Sequence, residues 1–346
     1  MSLEIRQKKP LLGLNVIELH AIGPIPFAGR LLMQLGASVT RISPPADPGL
    51  GVGVATKHDV SNEGKAIVRL NLKSNDGQSS LHQLLSSADV LLEGFRPQVL
   101  ERLGFEPSRL VAKYPRLVIG RLSGWGSNGP LSKMAGHDIN YLALTGALNA
   151  IGKADQPVPA LNMIADYGGG AMHLVAGVLA KLVARGIDGR GGSVETSIAA
   201  GTVGLLPLAY GLLADHRWSL ERESNLLDGG APFYRTYRCR DARFIAVGAI
   251  ESKFYRELLA LCGLDKDLDA ERQLDCQTWP EMARRFEECF ATRDRDEWEK
   301  LAEGRDCCLS PVLDFEEATH HPQAIASGWH LHAPFPRPAP PIRFPS

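Results

Sequence analysis

Short apolar runs and amphipathic stretches alternate from residue 14 to residue 122, and that order admits few folds. LNVIEL (14–19) is an apolar run. PFAGRLLMQLG begins with a proline suited to a helix's first turn and ends in Gly36, and SVTRI follows as a second strand candidate. AIVRLNL (66–72), a helical stretch over 76–86, DVLLEGF (89–95), PQVLERLG and RLVIGRL (116–122) continue the series. Strands separated by helices predict an α/β fold with a largely parallel sheet flanked by helices. The turn after the first strand, HAIGPIPFAG, lacks the G-x-G-x-x-G spacing of a dinucleotide-binding turn, which disfavours a nicotinamide or flavin dehydrogenase.

A second regime begins near residue 225. PFYRTYRC and RFIAVGAI, joined through Arg240 and Asp241, read as an antiparallel hairpin, and Met282, Phe286 and Phe290 mark one apolar face of a following helix. Two domains suit 346 residues, more than one hydrophobic core usually serves. The 38 Lys and Arg against 39 Asp and Glu leave a formal charge of -1, so no overall field draws the chain to nucleic acid or an acidic membrane. The first nineteen residues are too short and broken in hydrophobicity for a secretory or spanning segment, and a cytoplasmic location is expected. Cys239, Cys262, Cys276, Cys289, Cys307 and Cys308 form no C-x-x-C pair and lack zinc-type histidine spacing; free thiols and no metal site are expected.

Two segments carry candidate chemistry. SGWGSNGPLSKMAG leads from a strand to His137, on a loop beyond the strand's C-terminal end, the edge where open α/β sheets bind ligands; Asp138 is placed to cap the helix that follows. NMIADYGGGAMHLVAGVLAKLVARG opens a helix of about 165–185 with Asp166 followed by Gly168, Gly169 and Gly170. Two readings stand. Bare first-turn amides could approach a carbonyl oxygen and hold a developing oxyanion, or Asp166 is an N-cap and the glycines permit close helix packing. A third acid, Glu251 in VGAIESKFY, stands at a helix start after the second hairpin strand.

GHDINYLALTG, NMIADYGGG, NLLDGGAPFYRTY and AVGAIESKFY, in this order, resemble the alpha-methylacyl-CoA racemases of the family III CoA-transferase superfamily, and the likeness runs from LLGLNVIEL to CCLSPVLDFEEA. The resemblance implies a Rossmann-like large domain over 1–205, a linker over 206–225, a small α+β domain over 226–315 and a return segment over 316–346. It also implies an interlocked homodimer with the active site between subunits. His137 and Asp166 fall on the family's catalytic positions and Glu251 on the glutamate paired with the histidine, supplied by the partner chain. In transferase relatives the Asp166 position is the nucleophile and the His137 position is commonly aromatic; the histidine here favours the racemase.

Inverting a carbon next to a thioester needs a base on one face and an acid on the other. The expected function is therefore epimerisation of 2-methyl-branched acyl-CoA thioesters by proton transfer through an enolate, with His137 and Asp166 exchanging roles and Glu251 orienting the imidazole. The alternative is a family III CoA-transferase with Asp166 as nucleophile. Asp166 must have a raised pKa to donate near neutral pH, and the amides of Gly168 and Gly169 would hold the enolate oxygen. The resemblance places CoA contacts on Leu70, Asn71, Leu72 and Lys73, on Gly136, Asp138, Ile139, Asn140 and Tyr141, and a phosphate contact on Arg96. One departure is Pro44 in RISPP, where the racemases commonly carry an arginine; Arg41, Lys57 or Lys65 is the candidate replacement. No cofactor is expected, CoA being part of the substrate.

Overall fold

The computed structural model describes residues 9–46, 48–49 and 51–345; residues 1–8, with part of the N-terminal stretch read above, lie outside the described residues. The chain forms two compact units, the first through Ala147 with Ala160–Pro207 and the segment from Ala339, the second Leu148–Pro159 with Leu208–Pro338. This division differs from the expected boundaries in three places, one being that the stretch expected as a linker over 206–225 falls from Leu208 on into the second unit. The excursion Leu148–Pro159 belongs to the second unit because Lys153 Nζ pairs with Glu223 (2.7 Å) and Arg222 Nε donates to the Lys153 carbonyl (2.6 Å). The return begins at Ala339 rather than 316, since helix Phe315–His320 is tied to the second unit by Arg295–Glu317 at 2.8 Å.

In the first unit six parallel strands, β1 (Asn15–Leu19), β2 (Ser38–Ser43), β3 (Ala66–Arg69), β4 (Val90–Glu93), β5 (Val118–Ser123) and β6 (Gly192–Ser197), lie in the order β3-β2-β1-β4-β5-β6. The predicted alternation stands, with helices α1 (Pro24–Gln34), α2 (Asn75–Leu85), α3 (Val99–Arg102) and α4 (Pro107–Lys113) between the strands. The order reverses between β1 and β4, and in such sheets the crevice for a ligand opens beyond the carboxyl ends of the strands at that point. Leu19, Ile42, Leu81, Leu85, Leu91, Phe105 and Ile119 form one apolar layer under the sheet.

Beyond β5 come α5 (Asp138–Leu144), a π-helix (Met163–Met172) running into α6 (His173–Asp188), and α7 (Ile198–Gly204). The expected helix over 165–185 thus starts two residues earlier and opens with wider turns. By length and composition the run Met163–Asp188 is apolar enough to cross a membrane; here Leu174 and Val178 pack on β5, where Gly120 leaves them room. In the second unit β7 (Tyr234–Arg238) and β8 (Phe244–Gly248) form the expected hairpin, joined by β9 (Leu309–Pro311). Helices α8 (Ser252–Cys262) and α9 (Trp279–Phe290) cover it, and Met282, Phe286 and Phe290 are buried as their spacing predicts.

Candidate active site

A cleft of about 780 Å³ opens at the carboxyl ends of β1, β4 and β5, wholly within the first unit. His137 and Asp166 both line it. His137 is the N-cap of α5, and its backbone is fixed from two sides: its N–H donates to Asn140 Oδ1 (3.0 Å), and the Tyr141 hydroxyl donates to the preceding carbonyl, Gly136 O (2.7 Å). Gly136 lies against the Trp125 ring, where an added Cβ would stand 2.9 Å from a ring carbon. Asn140 and Tyr141, expected to touch CoA, therefore hold the histidine's loop, and of the two only Tyr141 also lines the cleft.

Asp166 sits in the π-helix, and its backbone N–H donates to Asp138 Oδ2 (2.8 Å). Asp138 caps this second segment rather than its own helix, whose N-cap is His137; it is buried and does not line the cleft. Burial pushes the Asp138 carboxyl up, and burial together with the Asp138 charge pushes Asp166 up to about 7. On its other side Asp166 meets Gly23, whose φ of 65° only glycine adopts readily and whose Cβ, if present, would lie 3.0 Å from Asp166 Oδ2. Tyr167 stacks on Phe27 with centroids 4.1 Å apart, pinning this turn to α1. A carboxyl that titrates near neutrality can both give and take a proton, and the imidazole on the same cleft can do the same.

The glycines after Asp166, expected to hold the enolate oxygen, stand at a helix–helix contact. In a π-helix each N–H reaches back five residues, so the Gly168 and Gly169 amides lie within the helix's own hydrogen-bonding turns, and neither residue lines the cleft. Their reason is packing: a Cβ on Gly169 would come 2.6 Å from Thr202 Oγ1, and one on Gly201 would sit 1.8 Å from the Gly169 carbonyl oxygen, so these positions let α7 lie directly on the π-helix. Arg41 is a second correction. It is buried opposite Glu18 in the β1–β2 register, at 2.5 Å from Glu18 Oε1, and Lys65 Nζ holds Glu18 Oε2 at 2.6 Å; charges this deep persist only when paired, and neither cation lines the cleft. Lys57, on the short turn Thr56–His58, does not line it either.

Leu70, Asn71, Leu72 and Lys73, which leave β3 in a turn, line the cleft together with Arg96 and Gly136; Lys73 and Arg96 are exposed cations at its rim. Ile139 is exposed outside it. Glu251 belongs to the second unit, exposed as the N-cap of α8, and is not among the lining residues. Sequence reasoning missed His20, which lines the cleft directly after β1, although the strand-end rule that singled out His137 applies equally there. Arg41 Nη2 lies 3.1 Å from His20 Nδ1; a guanidinium only donates, so this nitrogen accepts and the ring proton is on Nε2. Among the described residues no group of three or more His, Cys, Asp or Glu could hold a metal ion.

Residues 11–345 match CoA-transferase family III. The chain is 41% identical over 337 residues to the alpha-methylacyl-CoA racemase of Mus musculus and 39% identical to that of Homo sapiens, covering 95% of this chain and 86% of each relative. A solved CAIB/BAIF family protein from Brucella suis superposes with a TM-score of 0.79 at 22% identity, over 98% of this chain and 93% of that one.

Proposed function

The chain belongs to CoA-transferase family III, and we propose that it is an isomerase that inverts the α-carbon of 2-methyl-branched acyl-CoA thioesters. The observation that carries this reading is a carboxyl held near neutrality, Asp166, on the same cleft as His137. One of the two removes the α-proton, the thioester carbonyl takes the electron pair as an enolate, and the other returns a proton to the opposite face. The carbon's oxidation state does not change, so the reaction consumes no redox cofactor. Asp138 keeps Asp166 protonatable by adding negative charge beside a buried carboxyl. Lys73 and Arg96 at the rim suit CoA phosphates. Glu251 is assigned to orient the His137 imidazole from a second copy of the chain in a homodimer.

A CoA-transferase reaction would use Asp166 as an ionised nucleophile, and the burial and neighbouring charge that hold its proton work against that role. The deciding experiment incubates a single epimer of a 2-methylacyl-CoA in deuterated water. The protein incorporates one α-deuterium and scrambles the configuration without any acceptor acid, and Asp166→Ala loses both. Full exchange in Asp166→Ala, or an acyl-enzyme trapped by hydroxylamine in the native protein, would overturn the proposal.

A further inference from the structure

The second unit carries a pair of cysteines that the proposed chemistry does not use. Cys262 is the last residue of α8 and Cys289 the penultimate residue of α9, so the two helix ends bring together sulfurs 27 residues apart in sequence. The Cys289 thiol donates to the Cys262 carbonyl oxygen at 3.5 Å, which sets it directly against the residue that carries the second thiol. Both are half-buried, unlike the fully buried Cys307 and the exposed Cys308 and Cys276. We propose that Cys262 and Cys289 form an oxidisable dithiol that hydrogen peroxide converts to an intrachain disulfide.

The two sulfurs are unequal in the way such a reaction uses. The neighbouring Cys262 thiol and then the Arg293 charge, just beyond the end of α9, lower the Cys289 thiol, whereas the Cys289 thiol and burial push Cys262 up. Cys289 as thiolate attacks one peroxide oxygen; the O–O bond breaks, and the departing hydroxide takes a proton to become water, leaving a sulfenic acid on Cys289. Cys262 sulfur then attacks Cys289 sulfur, the S–O bond breaks, and hydroxide leaves with the Cys262 proton as a second water. Two thiols lose two electrons in all, and one peroxide becomes two waters.

The test is intact-mass analysis of the whole protein after mild peroxide and then alkylation under denaturing, non-reducing conditions. Four alkylated cysteines per chain are expected in place of six, with the cross-link mapped to the peptides of Cys262 and Cys289. The cross-linked protein should melt roughly 5 °C higher, because the bond closes a loop in the unfolded chain. Cys262→Ser and Cys289→Ser should each abolish the cross-link, while a Cys307→Ser, Cys308→Ser double variant keeps it. Six alkylated thiols after peroxide, or a cross-link that maps to Cys307 or survives in Cys289→Ser, would overturn the assignment.

Discussion

At the scale of single residues the site is an exercise in raising one acid. Asp166 has a hydrophobic helix around it, the Asp138 carboxyl on its backbone side and Gly23 against its oxygen, and ends up titrating at about 7 rather than 3.8. Below about pH 4 Asp166 is protonated in both the folded and unfolded chain and has no effect on stability. Between about 4 and 7 only the folded chain keeps the proton, so stability attributable to this group falls as pH rises, and above 7 the full penalty of a buried charge applies. Asp166→Asn removes it: the variant should be about 2–4 kcal/mol more stable than the parent at pH 8 and equal to it at pH 4, with exchange activity lost. Urea denaturation at the two pH values measures this, and equal stabilities at pH 8 would mean that the carboxyl is not held in its neutral form. The residue scale was partly legible in advance. His137 and Asp166 stood out because loops at strand ends and glycine-flanked helix starts are rare, local features. Arg41 misled, since its partner Glu18 is set by strand register and Lys65 arrives from 47 residues away; no local pattern announces a buried charge cluster.

Secondary elements hold that residue where it works. Two glycines, Gly169 on the π-helix and Gly201 on α7, form a seam so close that a single methyl group at Gly201 would overlap the facing carbonyl. Because the obstacle is backbone, the helices must part, which outweighs the roughly 1 kcal/mol an alanine gains in helix propensity. Gly201→Ala is expected to destabilise the protein by about 1–3 kcal/mol and to depress exchange by displacing the turn that carries Asp166. Thermal denaturation and the deuterium assay read the two effects, and an unchanged melting temperature would show that the seam has slack. The charge cluster does similar service for α1: Lys65 Nζ donates to Pro26 O and Arg41 Nη2 to Ala21 O, which fixes both sides of the loop that presses Gly23 on Asp166. Most of the sheet was readable, because β1, β3, β4 and β5 carry clustered aliphatic residues and β2 follows directly on a helical stretch that ends in Gly36. The sixth strand was not: GSVETS holds one large aliphatic residue, and its edge position leaves it half exposed. Nor was the π-helix, since ten residues with three consecutive glycines give no period that separates wide turns from ordinary ones.

For the whole molecule the proposal assigns Glu251, in the second unit, to a cleft that lies entirely in the first. As the N-cap of α8 its carboxylate stands where the helix dipole favours negative charge, which suits a group that accepts an imidazole's N–H. The proposal that it acts from a second copy makes an arithmetical prediction. His137→Ala and Glu251→Ala homodimers should each be nearly inactive, because every site in either carries one lesion. In a heterodimer of the two, trans supply gathers both lesions in one site and leaves the other intact, so activity per dimer returns to about half that of the parent. Supply within one chain distributes one lesion to each site and restores nothing. Co-expression with two affinity tags and sequential purification isolates the heterodimer, and the deuterium assay counts its working sites; a heterodimer as inactive as its parents would return Glu251 to its own subunit or to no role in the reaction.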